Sequence, residues 1–246
     1  MSVNKIQTTL ETDISRRSFL KTTALGSGGF LIGVSFSPIL SAAASEENSS
    51  HAFNAFVKIQ TDNTVTVIIK HLDKGQGVTT GLTTIVAEEM DAAWGQMRWE
   101  FAPADASLYN NLFWGPTQGT GGSSSIRNSW TQLREAGALA RAMLVQAAAE
   151  QWQVSPNMIT VKDGMLSTSD NRSASFGELA TAAANVTIEF VPTLKDPKDF
   201  TIIGSRIPRI DSKEKSTGKA QYTIDLQLPG MLNAAVIHPP RFGQRM

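Results

Sequence analysis

Two short apolar runs open the patterned part of the chain, at residues 56–59 and 65–69. The dipeptide Asp62-Asn63 between them is typical of a tight turn, so the pattern predicts a β-hairpin. After Gly77 the apolar residues recur every three or four positions, which predicts an amphipathic helix. The predicted apolar face of this helix comprises Val78, Leu82, Ile85, Val86, Met90 and Ala93.

The same helix carries three carboxylates, Glu88, Glu89 and Asp91. Carboxylates on an amphipathic helix usually face water, so we expect these side chains to be exposed. Residues 97–101 then alternate between large apolar and charged side chains. A period of two predicts a half-buried strand.

A long loop and a long helix occupy the centre of the sequence. Residues 103–125 are rich in glycine and serine, whereas residues 126–152 are rich in Ala, Leu, Arg and Gln, which favour a helix. Small residues along one face would let another backbone pack closely against it. This predicted packing face comprises Trp130, Leu133, Gly137, Ala140, Leu144 and Ala148.

A second hairpin and a short helix are predicted further along the chain. Asp163-Gly164 lies between two apolar runs and is a strong hairpin-turn signal. Ser175 is followed three positions later by Glu178, the spacing of a capping box that begins a helix.

These elements predict an α+β (mixed α/β) fold in which β-hairpins pack with a long helix. Strands are also predicted at residues 186–192 and 231–238. The chain then divides into a signal-like segment, a polar linker, a mixed domain and the β-rich beginning of a further domain. Their predicted bounds are 1–44, 45–52, 53–200 and 201–246.

Composition narrows the possible functions. The chain has 246 residues, 41% of them hydrophobic, and its formal net charge is zero, so we expect an ordered protein without a nucleic-acid partner. Cysteine is absent, which excludes disulfides, a cysteine nucleophile and iron–sulfur ligation by cysteines of this chain. His51, His71 and His238 lie far apart in sequence, so we predict no metal ligand.

Residues 15–44 resemble an export signal. Arg16-Arg17 precede a Phe-Leu-Lys tripeptide, an apolar run interrupted by glycines, and small residues at 42–44, as in a twin-arginine (Tat) signal. The Tat export machinery carries folded proteins, often ones that fold around a cofactor assembled in the cytoplasm, so we expect a periplasmic protein. The alternative is an uncleaved anchor or a chance pair of arginines.

Two glycine-rich loops each end where a helix is predicted to begin. Glycine permits the close approach of a ligand, and the first turn of a helix offers unpaired N–H groups that suit phosphate. The candidate cofactor-binding residues are Gly75, Gln76, Gly77, Gly121, Gly122, Ser123, Ser124 and Ser125. The alternative is that both loops are ordinary turns with serine caps, since neither has the dinucleotide or P-loop fingerprint.

Four stretches carry a family resemblance. They are SRRSFLK, KGQGVTTGLTTIVAEEM, GTGGSSSIRNSWTQLREAGALARAML and STGKAQYTIDLQLPGMLNAAVIHPP. In this order they resemble the molybdopterin-binding subunit of the xanthine dehydrogenase/aldehyde oxidase superfamily, in its exported isoquinoline 1-oxidoreductase β-subunit-like branch. The last stretch resembles the opening of that family's hammerhead α/β domain.

The resemblance implies a molybdenum hydroxylase or aldehyde dehydrogenase whose small-molecule substrate is an N-heteroaromatic or an aldehyde, with oxygen taken from water. The cofactor would be molybdopterin, commonly the cytosine dinucleotide form, which holds molybdenum through dithiolene sulfurs. Electrons would pass to a small partner subunit with [2Fe–2S] clusters and often to a cytochrome c, with membrane association through such partners. The two glycine-rich loops would hold the pterin and its phosphates.

Members of this family are several hundred residues longer, and no position here matches their catalytic glutamate. The sequence is therefore expected to be an N-terminal fragment that is inactive alone, and we assign it no catalytic residue. The alternatives are an exported binding or interaction protein without a cofactor, or an inactive truncated gene product.

Overall fold

The computed structural model describes residues 50–244. Of these, residues 50–210 form one compact unit and residues 211–244 a second. The predicted signal segment, 1–44, lies outside the described residues, as does most of the predicted linker. Within the described part of the chain, no helix has both the length and the apolar character needed to cross a membrane.

A four-stranded sheet with the order β1-β2-β3-β4 forms one side of the first unit. Its strands are β1 (Ser50–Asn54), β2 (Val57–Gln60), β3 (Val65–Ile69) and β4 (Met97–Phe101). β2 and β3 form the predicted hairpin, and β1 pairs with β2, so residues 50–52 belong to the sheet and not to a linker. β4 pairs with β3 in parallel, which requires a crossover between them.

Helix α1 (Val78–Met90) is that crossover, and it makes a βαβ unit with β3 and β4. A short helix, α2 (Ala106–Tyr109), precedes the long helix α3 (Ser125–Trp152), which begins one residue before the predicted start. The predicted packing face of α3 is buried, with Trp130 only partly so. The pattern of small and apolar residues therefore identified the correct face.

Helices α1 and α3 pack side by side and run in the same direction. Gly81 lies against Ile126 near the two beginnings, and Asp91 pairs with Arg141 near the end of α1. Between these points a Cβ on Gly137 would lie 3.0 Å from a backbone oxygen of α1, so glycine is what allows the close approach. The two helices consequently begin at the same end of the domain.

A smaller antiparallel sheet and a helix complete the first unit. They are β5 (Ile159–Lys162), β6 (Met165–Thr168), β7 (Ser173–Ser175) and α4 (Phe176–Ala183). Asp163 and Gly164 both have positive φ, 49° and 74°, as the predicted hairpin turn requires. The predicted capping box is confirmed: Ser175 Oγ accepts from the N–H of Glu178, whose carboxylate accepts from the N–H of Ser175.

Two predicted strands are wrong. Residues 186–192 and 231–238 are irregular, and several of their apolar side chains are exposed, Val191 by 88% and Ile237 by 73%. A strand needs a neighbouring strand to pair with, and within its own unit neither segment has one. Short helical turns occur at Trp94–Gln96, Pro156–Met158, Pro197–Asp199 and Thr223–Asp225, and helix α5 spans Ser212–Ser216.

The α+β class is confirmed, with small sheets packed against a long helix. The core lies between the four-stranded sheet and the helices, and its largest fully buried side chains include Ile59, Leu82, Met97, Leu144 and Phe176. The assignment of residues 201–246 to the start of a hammerhead-like domain stays a prediction.

Glu88 is fully buried, contrary to the expectation that it faces water. Its Oε1 lies 2.7 Å from Nζ of Lys195, and its Oε2 accepts from the backbone N–H groups of residues 201–203 at 2.7–3.1 Å. Burial alone would raise the pKa of Glu88, but these hydrogen bonds together outweigh it and leave that pKa below its ordinary value. The Glu88 carboxylate therefore fastens the 195–203 segment to α1, and these contacts are called the clamp below.

The neighbouring carboxylates were also expected in solvent and are likewise paired. Glu89 is buried against Arg134 of α3, and Asp91 contacts both Arg141 of α3 and Lys195. The expectation failed because the cations come from positions 45 or more residues away in sequence. The spacing of residues along a helix gives no information about partners so far away in sequence.

Candidate functional site

The structure brings the two predicted glycine-rich loops together at the end of the domain where α1 and α3 begin. The backbone N–H of Leu72 donates to the hydroxyl of Thr120 at 2.7 Å. Nζ of Lys74 donates to the carbonyl of Thr120 at 2.6 Å. The first loop follows β3 directly, so the parallel sheet and the crossover helix fix its position.

Gly75-Gln76-Gly77 requires glycine at both ends, since the φ angles of Gly75 and Gly77 are 95° and 81°. Gly77 is the N-cap of α1 and has no side chain to bond the N–H groups of the first turn. The exposed amide of Gln76 folds back on its own loop: Nε2 donates to the carbonyl of Leu72 at 2.9 Å, and Oε1 accepts from the N–H of Lys74. One donor and one acceptor position of this amide remain for other partners.

The second loop ends in a left-handed turn at Gly122 and Ser123, with φ angles of 61° and 52°. Gly122 and Ser123 are exposed and Ser125 is half-buried, so all three are accessible at the start of α3. Ser124 is the N-cap, but its buried hydroxyl donates to the carbonyl of Gly121 at 2.8 Å and makes no bond to the helix N–H groups. The hydroxyl of Ser124 thus stabilises the loop from inside.

A buried polar network lies directly beneath both loops. Nδ1 of His71 is 3.1 Å from the carbonyl oxygen of Gly119, and Nε2 is 3.2 Å from Oδ1 of Asn128. Asn128 donates to Asn111, which donates in turn to Gly119 and to Ser124. This network joins the end of β3, the central loop and the first turn of α3.

Burial is the largest influence on the pKa of His71 and lowers it, and the hydrogen bonds to Asn128 and Gly119 only partly oppose this. The imidazole is therefore neutral at neutral pH. Next to it, Lys70 is buried, and its Nζ donates to Oε1 of Gln132 at 2.6 Å and to the carbonyl of Asn110 at 3.2 Å. Burial lowers the pKa of Lys70 to about 8.

Sequence reasoning missed this network. His71, Asn111 and Asn128 are single polar residues with no motif spacing, and their partners lie 8 to 57 positions away. Asn128 does not belong to the predicted packing face of α3, so the sequence pattern gave no sign of its burial.

Two cations lie at the first loop. Nη1 of Arg209 donates to the carbonyl of Gly75 at 3.2 Å, and its guanidinium lies 3.5 Å from where a Cβ on Gly77 would be. Lys74 is the second cation, and Asp73 accepts from the N–H of Gly75 within the same loop. Helix beginnings and cations together give this end of the domain a positive character.

The donor chemistry here fits an anionic cofactor. No side chain among the described residues caps the first turn of α1 or of α3, so both turns present unpaired N–H groups on the same side. The buried hydroxyl of Thr79, in the first turn of α1, has no hydrogen-bond partner among the described residues. Backbone N–H groups and cations are the groups that bind phosphate.

The cavities of the first unit differ in their relation to this site. One of about 240 Å³ lies beside the network and is lined in part by Lys70, His71, Phe101, Gly119 and Thr120. A larger one of about 720 Å³ lies by the clamp at the other end of the helix pair, between Arg141, Lys195 and Phe190. Size alone would favour the larger cavity, but the uncapped helix beginnings lie by the smaller one.

The fold and the site together define a βαβ unit with the N-terminus of a second helix beside that of its crossover helix. The family model of the molybdopterin cofactor-binding domain matches residues 13–224. The chain therefore belongs to this family, and the family assignment made from the sequence is confirmed.

Three curated relatives are similar over most of this chain. The β subunit of isoquinoline 1-oxidoreductase from Brevundimonas diminuta is 32% identical over 94% of this chain and 34% of its own length. A nicotinate dehydrogenase subunit from Pseudomonas putida is 33% identical over 76% of this chain and 15% of its own. A membrane-bound aldehyde dehydrogenase [pyrroloquinoline-quinone] from Gluconacetobacter polyoxogenes is 30% identical, over 96% and 31%. The chain thus spans about a third or less of each relative.

Proposed function

We propose that the end of the domain where α1 and α3 begin binds the phosphate and pterin groups of a molybdopterin cofactor, as part of a molybdenum-dependent oxidoreductase. The observation that carries this proposal is the pair of uncapped helix N-termini at one end of the domain, whose preceding loops are hydrogen-bonded to each other through Thr120. Their N–H groups bind phosphate oxygens, while Lys74 and Arg209 neutralise the phosphate charge.

The cofactor is the cytosine dinucleotide form, in which a pyrophosphate joins the pterin to the nucleotide. Two adjacent helix beginnings suit a diphosphate better than a single phosphate, since each can take one group. When bound, the cofactor supplies the two-electron oxidation of the substrate with oxygen from water, and electrons leave to a [2Fe–2S] partner subunit and a cytochrome c. We assign no catalytic residue in this chain.

The substrate is an N-heteroaromatic compound or an aldehyde. The names of the relatives support this pair of classes, since they specify isoquinoline, nicotinate and aldehyde chemistry. The protein acts in the periplasm and reaches it through the Tat machinery, as the Arg16-Arg17 motif indicates.

The test is cofactor content after expression in a cytoplasm that makes the cytosine dinucleotide. We expect the purified protein to contain molybdenum by plasma mass spectrometry and to release cytidine monophosphate on acid hydrolysis. A folded sample that contains neither would contradict the proposal.

A matched pair of substitutions tests the location. Gly77→Asp places a carboxylate on the first turn of α1, where it occupies the N–H groups and repels phosphate. Gly77→Asn has the same shape without the charge. We expect the aspartate variant to lose most of its molybdenum and nucleotide and the asparagine variant to keep more; equal occupancy in the two would place the phosphates elsewhere. Gln76→Ala with unchanged occupancy would remove Gln76 from the site.

A further inference from the structure

Three consecutive apolar side chains lie exposed on the loop before α3. Leu112, Phe113 and Trp114 are 49%, 53% and 46% exposed. Isolated exposed apolar residues are common, but a contiguous cluster beside a polar site usually marks a binding surface. The cluster takes no part in the phosphate contacts described above, so it needs a separate explanation.

The indole ring of Trp114 lies against the backbone of Gly119 and Gly121. A Cβ on Gly121 would lie 2.9 Å from the ring, and a Cβ on Gly119 would overlap it. The φ angles of these two glycines are not positive, so the backbone conformation does not require glycine at either position. The position of the Trp114 ring does require glycine at both positions, because a Cβ at either one would come too close to the ring.

The backbone under the ring is fixed from below. His71 and Asn111 both hydrogen-bond the carbonyl of Gly119, and Ser124 donates to the carbonyl of Gly121. The exposed ring is therefore held at a set position beside the beginning of α3. A large, rigid, exposed aromatic surface binds ligands with little loss of side-chain entropy.

Positive charge adjoins the same surface. The guanidinium of Arg127, in the first turn of α3, lies 5.3 Å from the centre of the Phe113 ring. The uncapped N–H groups of that turn add partial positive charge. An aromatic face next to such a group of donors suits a ligand that combines a flat ring with a phosphate.

We propose that Trp114 stacks against the heteroaromatic ring of a ligand whose phosphate lies at the beginning of α3. This inference rests on the proposed function, because the dinucleotide form of the cofactor carries two such rings, the pterin and the cytosine. The shared chemistry is a flat nitrogen heterocycle joined to a diphosphate.

The test is calorimetric titration of the full chain with three probes: cytidine diphosphate, 6-hydroxymethylpterin diphosphate, and inorganic pyrophosphate, which lacks a ring. Stacking of a base on an aromatic side chain makes Trp114→Ala bind the ringed probe about 5-fold to 150-fold more weakly. Pyrophosphate affinity stays the same. The probe whose affinity falls in Trp114→Ala identifies which ring, pterin or cytosine, stacks on Trp114.

Two further variants separate position from folding. Gly119→Ala retains the indole but adds a Cβ where the ring now lies, so we expect a loss of ringed-probe affinity comparable to that of Trp114→Ala. Phe190→Ala removes an exposed aromatic ring at the other end of the helix pair and should bind all probes like the wild type. Circular dichroism and thermal unfolding confirm that each variant is folded.

Two results would overturn the inference in distinguishable ways. If Trp114→Ala binds both ringed probes as the wild type does, while pyrophosphate still binds, the stacking role is wrong and the anion site stands. If the folded wild type binds none of the three probes, neither the stacking surface nor the anion site takes this ligand class.

Discussion

Replacing Glu88 by alanine should destabilise the first unit far more than its helix-surface pattern suggests. The substitution removes one acceptor of Lys195 and the acceptor for three backbone N–H groups at residues 201–203. Removing one partner of a buried ion pair typically costs about 3–5 kcal/mol. Lys195 keeps its contact with Asp91, and the freed segment can reach water, so we expect the lower half of this range.

Thermal unfolding followed by circular dichroism measures the effect. For a unit of this size, about 3–4 kcal/mol corresponds to a fall in Tm of roughly 6–16 °C. Glu150→Ala is the control, since Glu150 is an exposed glutamate on α3 whose carboxylate accepts from Gln146, and the substitution should change the free energy of unfolding by about 0.5 kcal/mol or less. Amide hydrogen exchange should show protection at residues 201–203 in the wild type and its loss in Glu88→Ala.

The pH dependence provides a second readout. The folded-state pKa of Glu88 lies below its ordinary value of 4.5, so its contribution to stability is complete above that pH. The contribution is lost as the pH falls through the folded-state pKa, because the unfolded chain takes up the proton first. In Glu88→Ala, the free energy of unfolding should lack this acid-dependent loss. An unchanged Tm in Glu88→Ala, together with rapid amide exchange at residues 201–203 in the wild type, would show that Glu88 does not hold this segment on α1.

Two further predictions concern buried positions. Gly137→Ala should lower the free energy of unfolding by about 1–3 kcal/mol through overpacking against α1, even though alanine favours helices, and a Tm at or above the wild type would contradict the close approach. Because burial lowers the pKa of Lys70 from 10.5 to about 8, the unfolded chain binds that proton more tightly. Urea unfolding should therefore show stability rising by about 3 kcal/mol between pH 8 and 10.5 in the wild type but not in Lys70→Met; parallel profiles would contradict it.

Elements whose signals are local could be predicted from the sequence. The hairpin turn at Asp163-Gly164, the capping box at Ser175 and the buried face of α3 each depend on residues within a few positions of one another. The two glycine-rich loops are also local signals, since each immediately precedes a helix. Their adjacency in space is not local, because it depends on the parallel packing of α1 and α3.

Features that depend on distant partners could not be predicted. The parallel pairing of β3 with β4 joins strands about 30 residues apart, and nothing in an alternating pattern specifies the direction of the neighbouring strand. The carboxylate of Glu88 has the same helical spacing as a solvent-facing residue. Its burial is made tolerable by Lys195, 107 positions away, and by the backbone N–H groups of residues 201–203. The strand predicted at residues 186–192 does not form, because no other strand of its unit lies beside it to pair with.

The clamp and the anion site are connected through the segment that leaves the domain. Residues 201–203 are bound by Glu88 near the end of α1, whereas Arg209 contacts Gly75 and the N–H of Ile210 donates to Thr80 near its beginning. The helix rises about 12 Å between Thr80 and Glu88, a span that the six residues from 203 to 209 cover when extended. The segment therefore runs back along α1 and places the Arg209 side chain at the first glycine-rich loop. This explains why the compact unit continues to residue 210, beyond the predicted boundary at 200. It also means that Glu88→Ala should weaken pyrophosphate binding, although Glu88 lies at the far end of the helix.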